Sequence, residues 1–384
     1  MTRDLMLVAI SLFCWGIGEG MFIYFQPIYL EQMGASPLLI GTILGGMGIS
    51  MALTQIPAGW LGDTFGRRPL MWISWFLGAA ATTVMAVAPG LAVFSIGLIL
   101  YGLSAFSMAP MNAYISNARG RWSIGRALTT VSAAYNLGAV IGPMVGGTLA
   151  DEYGIQPIYA VAAVLFFIAS IIVLFIRRQP VEHQQAETSR FNLVRNPRFM
   201  LLLGVLFLTM LSTYLPQPLT SNFLKTERNL SMGQIGTLGS IGSLGNALLA
   251  ITLGRINAWA GFLAGQAAVL LASLIIWKGT GMPWYLLGYF FLGGIRICKS
   301  LSMALTRPLI HPAQMGVAYG FLETTGSLAI IAAPPIAGAL YERDPALVFP
   351  VAAVCIGVVL VLSIKFLPRE HHPQEDLIVT PERE

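Results

Sequence analysis

The chain has 384 residues, of which 10% are charged and 56% hydrophobic. Soluble domains carry about 25% charge and about 45–50% apolar residues. A mean hydropathy of +0.73 points the same way. A soluble fold has too little interior to hide this much apolar surface, and disorder, collagen and coiled coil each need more charge or a strict repeat. The composition describes an integral membrane protein.

In chain order, the apolar stretches are 5–26, 38–62, 69–88, 91–115, 124–150 and 156–177, then 199–224, 232–255, 257–277, 283–305, 315–340 and 346–367. A spanning helix needs about 20 predominantly apolar residues, whereas a membrane β-strand needs about 9–11. The expectation is an all-α membrane protein with twelve transmembrane helices. The first stretch lacks a small-residue cleavage site before a polar segment, so it is expected to stay as a helix and not to be removed as a signal.

Cys14, Cys298 and Cys355 fall in three different stretches, which suits neither a disulfide framework nor a metal site. His183, His311, His371 and His372 lie in loops or the tail and make no ligand cluster. No metal and no cofactor is expected.

Loop cations set orientation. Of the 22 Lys and Arg, Lys225, Arg228, Lys278 and Arg343 fall on one side, and Arg296 and Lys299 fall inside a span. All the others lie on the side of the termini. Both termini are therefore expected in the cytoplasm of a multi-pass plasma (inner) membrane protein. The net charge of +5 reads as loops held against an anionic inner leaflet, not as nucleic-acid binding. The expected division is a six-helix bundle at 1–177, a cytoplasmic linker at 178–198, a second bundle at 199–367 and a cytoplasmic tail at 368–384.

The halves repeat. With an offset of 191, Gln26-Pro27 falls on Gln217-Pro218, Gly102 on Gly293, Pro143 on Pro334 and Gly147 on Gly338. With an offset of 195, Gly41 meets Gly236, Gly59 meets Gly254 and Gly66 meets Gly261. Two pseudo-symmetric six-helix bundles around a midplane site are the signature of carriers.

Between the second and third stretches stands Gly59-Trp60-Leu61-Gly62-Asp63-Thr64-Phe65-Gly66-Arg67-Arg68-Pro69-Leu70. It closes one helix with small residues, turns at Gly66 and restarts on two cations. Here the chain resembles the major facilitator superfamily, whose cytoplasmic signature G-x-L-x-D-x-x-G-R-[RK]-x-L matches at every defined position. The resemblance implies that Asp63 and Arg67, with Gly59, Gly66 and Arg68, form a cytoplasmic gate that latches the two halves when the carrier opens outward. The second half keeps the glycines at Gly254 and Gly261 but has Ala258 where the acid would stand, so one latch is expected.

The fifth stretch carries Gly138, Gly142, Pro143, Gly146 and Gly147. Small residues at this spacing let another helix pack closely, and an internal proline bends the helix. The pattern is also similar to the antiporter signature G-x-x-x-G-P-x-x-G-G, which implies the drug:proton antiporter-like branch and favours export. Leu98 and Asn117 stand where that branch usually carries an Arg and an acid, so its usual proton relay is missing.

Charge within a bilayer is costly and usually serves a site. The candidates are Glu19, Arg296, Lys299 and Glu323. Glu19 sits among Gly16, Gly18 and Gly20, poorly covered by its own helix, with Trp15 and Phe22 expected beside it. It can carry a proton, or it can be a packing carboxyl bonded to a backbone group or a Tyr. Arg296 and Lys299 share one helix face. Lys299 and Glu323 lie at similar depth, so an ion pair between them is expected. That leaves Arg296 free to meet an anion or Glu19. By the resemblance, helices 1, 4, 7 and 10 line the cavity, and its further candidates are Tyr24, Gln26, Met108, Asn112, Tyr214 and Gln217.

These residues imply a secondary active transporter for a small organic solute working by alternating access, foremost as proton-coupled efflux. One alternative is a facilitator or proton symporter importing an anionic metabolite. Another is a membrane sensor on the same fold. No phosphate-binding loop of the G-x-x-x-x-G-K-[ST] type is present, and no nucleophile is paired with a base, so an enzyme is not expected. The expected partners are the solute, protons and the lipid bilayer, with the protein a monomer.

Overall fold

In lipid every backbone N–H and C=O must be satisfied within the protein, and helices do this segment by segment. The computed structural model, which describes residues 1–179, 193, 195–310 and 315–367, has twelve helices of spanning length and composition. They are α1 (Arg3–Ile23), α2 (Pro37–Phe65), α3 (Arg67–Ala86), α4 (Leu91–Ala118), α5 (Ile124–Tyr153) and α6 (Gln156–Leu174). The second six are α7 (Pro197–Tyr214), α8 (Met232–Leu253), α9 (Ala258–Lys278), α10 (Met282–Leu309), α11 (Met315–Arg343) and α12 (Val348–Phe366).

Local chemistry sets the ends. Thr2, Ser123, Asn196, Ser231 and Asn257 each cap a helix start by accepting a backbone N–H, which satisfies donors that have no partner within the helix. Gly66 turns the chain from α2 into α3 at φ +88°, a conformation a Cβ would strain.

The first and seventh stretches do not run as single helices. After Ile23 and after Tyr214 the chain breaks, then forms short helices at Gln26–Gln32 and Thr220–Thr226. Pro27 stands at the start of the first of these, a place where a missing N–H costs nothing. α4 is likewise interrupted by a 3₁₀ turn at Ser104–Ser107.

Each half is a six-helix bundle with its own packed interior. In the first, Trp15 stacks on Phe166 at 3.9 Å and 7°, and Phe22, Phe94, Tyr101 and Tyr159 join the cluster. In the second, Gln266 is fully buried and donates to the hydroxyls of Thr209 at 3.1 Å and Ser363 at 2.8 Å. The outer faces expose Leu53, Ile73, Val164, Val358 and Val361, an apolar skin that suits lipid.

The bundles meet along two equivalent seams. At one, Gly236 of α8 lies on the Pro143 carbonyl of α5, and Gly147 lies on Met232. At the other, Gly41 of α2 lies on the Pro334 carbonyl of α11, and Gly338 lies on Pro37. These are the residues that the offsets of 191 and 195 pair. A methyl at any of the four glycines would run into backbone. Both seams sit toward the end opposite the termini, where the short helices also touch: Asn222 Nδ2 donates to the Pro27 carbonyl at 3.2 Å and to Glu31 Oε2 at 2.5 Å. Toward the termini, Asn112, Asn117, Arg296, Lys299 and Ser300 are exposed. The space between the bundles opens to that end.

Candidate functional site

The site begins with a run of glycines. Gly16 and Gly20 on α1 and Gly138, Gly142 and Gly146 on α5 face one another, so that the two backbones touch. Gly142 abuts the Ile17 carbonyl and Gly146 the Met21 carbonyl. Close approach of this kind is what small residues permit between spanning helices. The other side of α5, through Pro143 and Gly147, faces α8 of the second bundle. One motif therefore serves two interfaces.

Because α1 and α5 lie so close, Tyr135 on α5 reaches Glu19 on α1. Its hydroxyl donates to Glu19 Oε2 at 2.7 Å. Tyr101 of α4 stands beside that carboxyl, within electrostatic reach of it, with its ring 6.4 Å from that of Trp15. Hydrogen bonds to a carboxylate are among the stronger ones. Arg296 of α10 lies within electrostatic reach of Glu19, and its Nη1 donates to Asn136 Oδ1 at 3.3 Å. Tyr135 and Asn136, adjacent on α5, thus stand between the acid of one bundle and the cation of the other. Beyond them Tyr24 stands beside Ser243 and Tyr289 beside Ser221, the two tyrosine rings 6.3 Å apart.

Lys299 Nζ and Glu323 Oε2 are 3.0 Å apart, an ion pair between α10 and α11 at the cavity wall. Nearer the termini a cavity of about 590 Å³ is lined by Ser300, Met303, Ala304, Arg307, Pro308 and Tyr319. Its lining comes from α10 and α11 alone, and it does not include the Glu19 cluster.

The other expected residues divide by exposure. Met108, Asn112 and Gln217 are exposed, and Tyr24 and Tyr214 are half-buried. Gln26 is 2% exposed, packed where the bundles close, so it does not face the open space. Phe22 is fully buried in the aromatic core with its ring 5.6 Å from that of Tyr101, and the Trp15 ring lies 6.4 Å from the same tyrosine.

In the gate motif, Arg67 donates to the Ala113 carbonyl at 3.3 Å. Arg68 donates to the Leu174 carbonyl at 3.2 Å and lies 4.1 Å over the Trp72 ring. Both tie ends of their own bundle together. Gly59 and the Asp63 side chain lie outside the described residues, as do the four histidines, most of the 178–198 segment and the 368–384 tail.

Tyr101, Tyr135, Asn136, Ser243 and Tyr289 were not among the expected site residues. One signal bore on Tyr135: it stands three residues before Gly138, on the helix whose glycines bring it against α1.

Comparison with known proteins supplies context for this geometry. The model of the Major Facilitator Superfamily matches residues 8–217 and 202–383. Among curated relatives, the uncharacterized MFS-type transporter MJ1560 of Methanocaldococcus jannaschii is 29% identical over 45% of each chain. The multidrug resistance protein MdtG of Salmonella arizonae is 30% identical over 53% of each. The chain therefore spans about half the length of the curated relatives it matches. Among solved structures, the nucleoside transporter NupG superposes with a TM-score of 0.79 at 16% identity, over 95% of this chain and 98% of that one. The human organic anion transporter MFSD10 gives 0.65 at 20% identity, over 94% and 99%. These two likenesses concern the fold.

Proposed function

The chain belongs to the Major Facilitator Superfamily, a family of transporters and not of enzymes, and from that premise we propose that it expels a small organic solute in exchange for protons. The bundles rock about a site at the level of Glu19 and Arg296. The termini and the open mouth face the cytoplasm, as the crowding of Lys and Arg on that side favours.

One observation carries this reading. Glu19 is a carboxyl at membrane depth, held by the Tyr135 hydroxyl, with Tyr101 beside it and an exposed Arg296 within electrostatic reach. An acid in such a place can carry a proton without a metal or cofactor. Solute that competes with the proton for the same polar cluster gives exchange. The multidrug resistance relatives and the glycine pattern of α5 support the outward direction.

The test needs a solute, found first as a compound that raises the melting temperature of the purified protein, since a ligand of the folded state stabilises it. In proteoliposomes a pH gradient then drives movement of that solute in the native protein and fails to do so in Glu19→Gln. Full pH-driven transport by Glu19→Gln would overturn the assignment. A second reading, uptake of an anionic metabolite, is favoured by the exposed guanidinium of Arg296. It requires that an inward proton gradient drive accumulation and that Arg296→Ala abolish binding.

A further inference from the structure

The start of α8 holds a feature the transport reading does not use. A helix start leaves its first backbone N–H groups without internal partners. Here four are satisfied, and by two different bundles. Within the second bundle, the Ser231 N–H donates to Gln234 Oε1 at 2.9 Å and the Gln234 N–H donates to Ser231 Oγ at 3.2 Å, a capping box. The remaining two go across the interface: the Met232 N–H donates to Asp151 Oδ1 at 2.8 Å and the Gly233 N–H to Asp151 Oδ2 at 2.7 Å. The Ser231 hydroxyl also donates to Asp151 Oδ2, at 2.9 Å. Gly233 makes this possible, because a Cβ there would lie 2.8 Å from that oxygen.

The second seam has no matching arrangement. With the offset of 191, Glu342 corresponds to Asp151; both are exposed, but among the described residues none of the bonds that hold Asp151 recurs at Glu342. The helix it would cap begins at Pro37, which has no N–H to give. The closure is lopsided, with a carboxylate on one seam and bare backbone packing on the other.

We propose that Asp151 is the latch of the end away from the termini. It holds the bundles closed there by completing the cap of a helix that belongs to the opposite bundle. When that end opens, the Met232 and Gly233 N–H groups and the carboxylate must exchange one another for water. Asp151 therefore sets the balance between the two openings of the carrier and touches neither solute nor the Glu19 cluster. From the proposed function this takes only that the bundles alternate; it needs neither proton coupling nor a known solute.

The test places spin labels on two loops of that end, at Pro89→Cys and Thr280→Cys, in a background of Cys14→Ser, Cys298→Ala and Cys355→Ser. Pulsed dipolar distances are read in nanodiscs of phosphatidylethanolamine and phosphatidylglycerol. The parent protein should show mainly the short distance. Asp151→Ala should raise the ratio of long to short distances by about tenfold, given the worth of hydrogen bonds to a charged group. Asp151→Asn, which keeps an acceptor, should fall between. Glu342→Ala should match the parent. A distribution for Asp151→Ala that superimposes on the parent would overturn the proposal. So would an equal shift in Glu342→Ala, because that would make the effect one of general charge at this end. Neither result would bear on the Glu19→Gln experiment, which reads coupling.

Discussion

Gly138→Ala probes whether helix packing and the polar cluster are one construction. A Cβ at Gly138 would lie 2.7 Å from the Ile17 nitrogen, with the Phe13 carbonyl oxygen also in its way. Non-bonded heavy atoms prefer roughly 3.5 Å or more, so α1 and α5 must part by at least about 0.8 Å. The Tyr135–Glu19 bond spans the same two helices at 2.7 Å. Parted by that amount it stretches to roughly 3.5 Å, outside the range in which such a bond holds. Overpacking itself costs about 1–3 kcal/mol. The assay is paired. Thermal unfolding in detergent should show a lower melting temperature for Gly138→Ala, and proteoliposomes should show impaired pH-driven transport. Tyr135→Phe removes the hydroxyl while leaving the glycine contact intact, so it should impair transport with little change in melting. Gly138→Ala that melts and transports like the parent would refute the reasoning.

Two further predictions concern packing and charge. Phe166→Ala removes the ring beneath Trp15 and should cost about 3–5 kcal/mol, with the loss of near-ultraviolet signal from that stack; wild-type melting would contradict the assigned core. The Lys299–Glu323 pair is different, because its side chains are 46% and 41% exposed. Exposed pairs are worth about 0–1 kcal/mol, so Lys299→Ala and Glu323→Ala should melt close to the parent, and a large drop in either would show a structural duty that the geometry does not suggest.

Much of the architecture was legible in the residues, and the reason is the solvent. Lipid forces each span to be long and apolar, so the stretches from 5–26 to 346–367 stand out without any knowledge of packing. The offset repeats were also readable, and they mark the contacts on which the bundles meet. Glu19, Arg296, Lys299 and Glu323 stood out because charge is scarce at that depth. Their partners were less visible. Tyr101 and Tyr135 are ordinary aromatic residues until the rotation of α4 and α5 is known, and rotation follows from glycine contacts between helices far apart in sequence. The Asp151 cap was hidden for the same reason: an acid beside Glu152, just past the fifth apolar stretch, looks like surface charge until the start of α8 is placed on it. Gln26 erred in the opposite sense. Its position at the end of the first span suggested a cavity wall, but the break after Ile23 turns it into the closed interface.

The seams themselves carry one more implication. Gly236 on Pro143 and Gly41 on Pro334 are backbone-to-backbone contacts related by the repeat. Both lie toward the end away from the termini, so an opening of that end would part them and a closing would remake them. No side chain at the four residues needs to change rotamer as they part, because glycine has none and proline's ring is fixed. The duplicated halves thus meet in a paired closure that could part and re-form without side-chain repacking at these contacts.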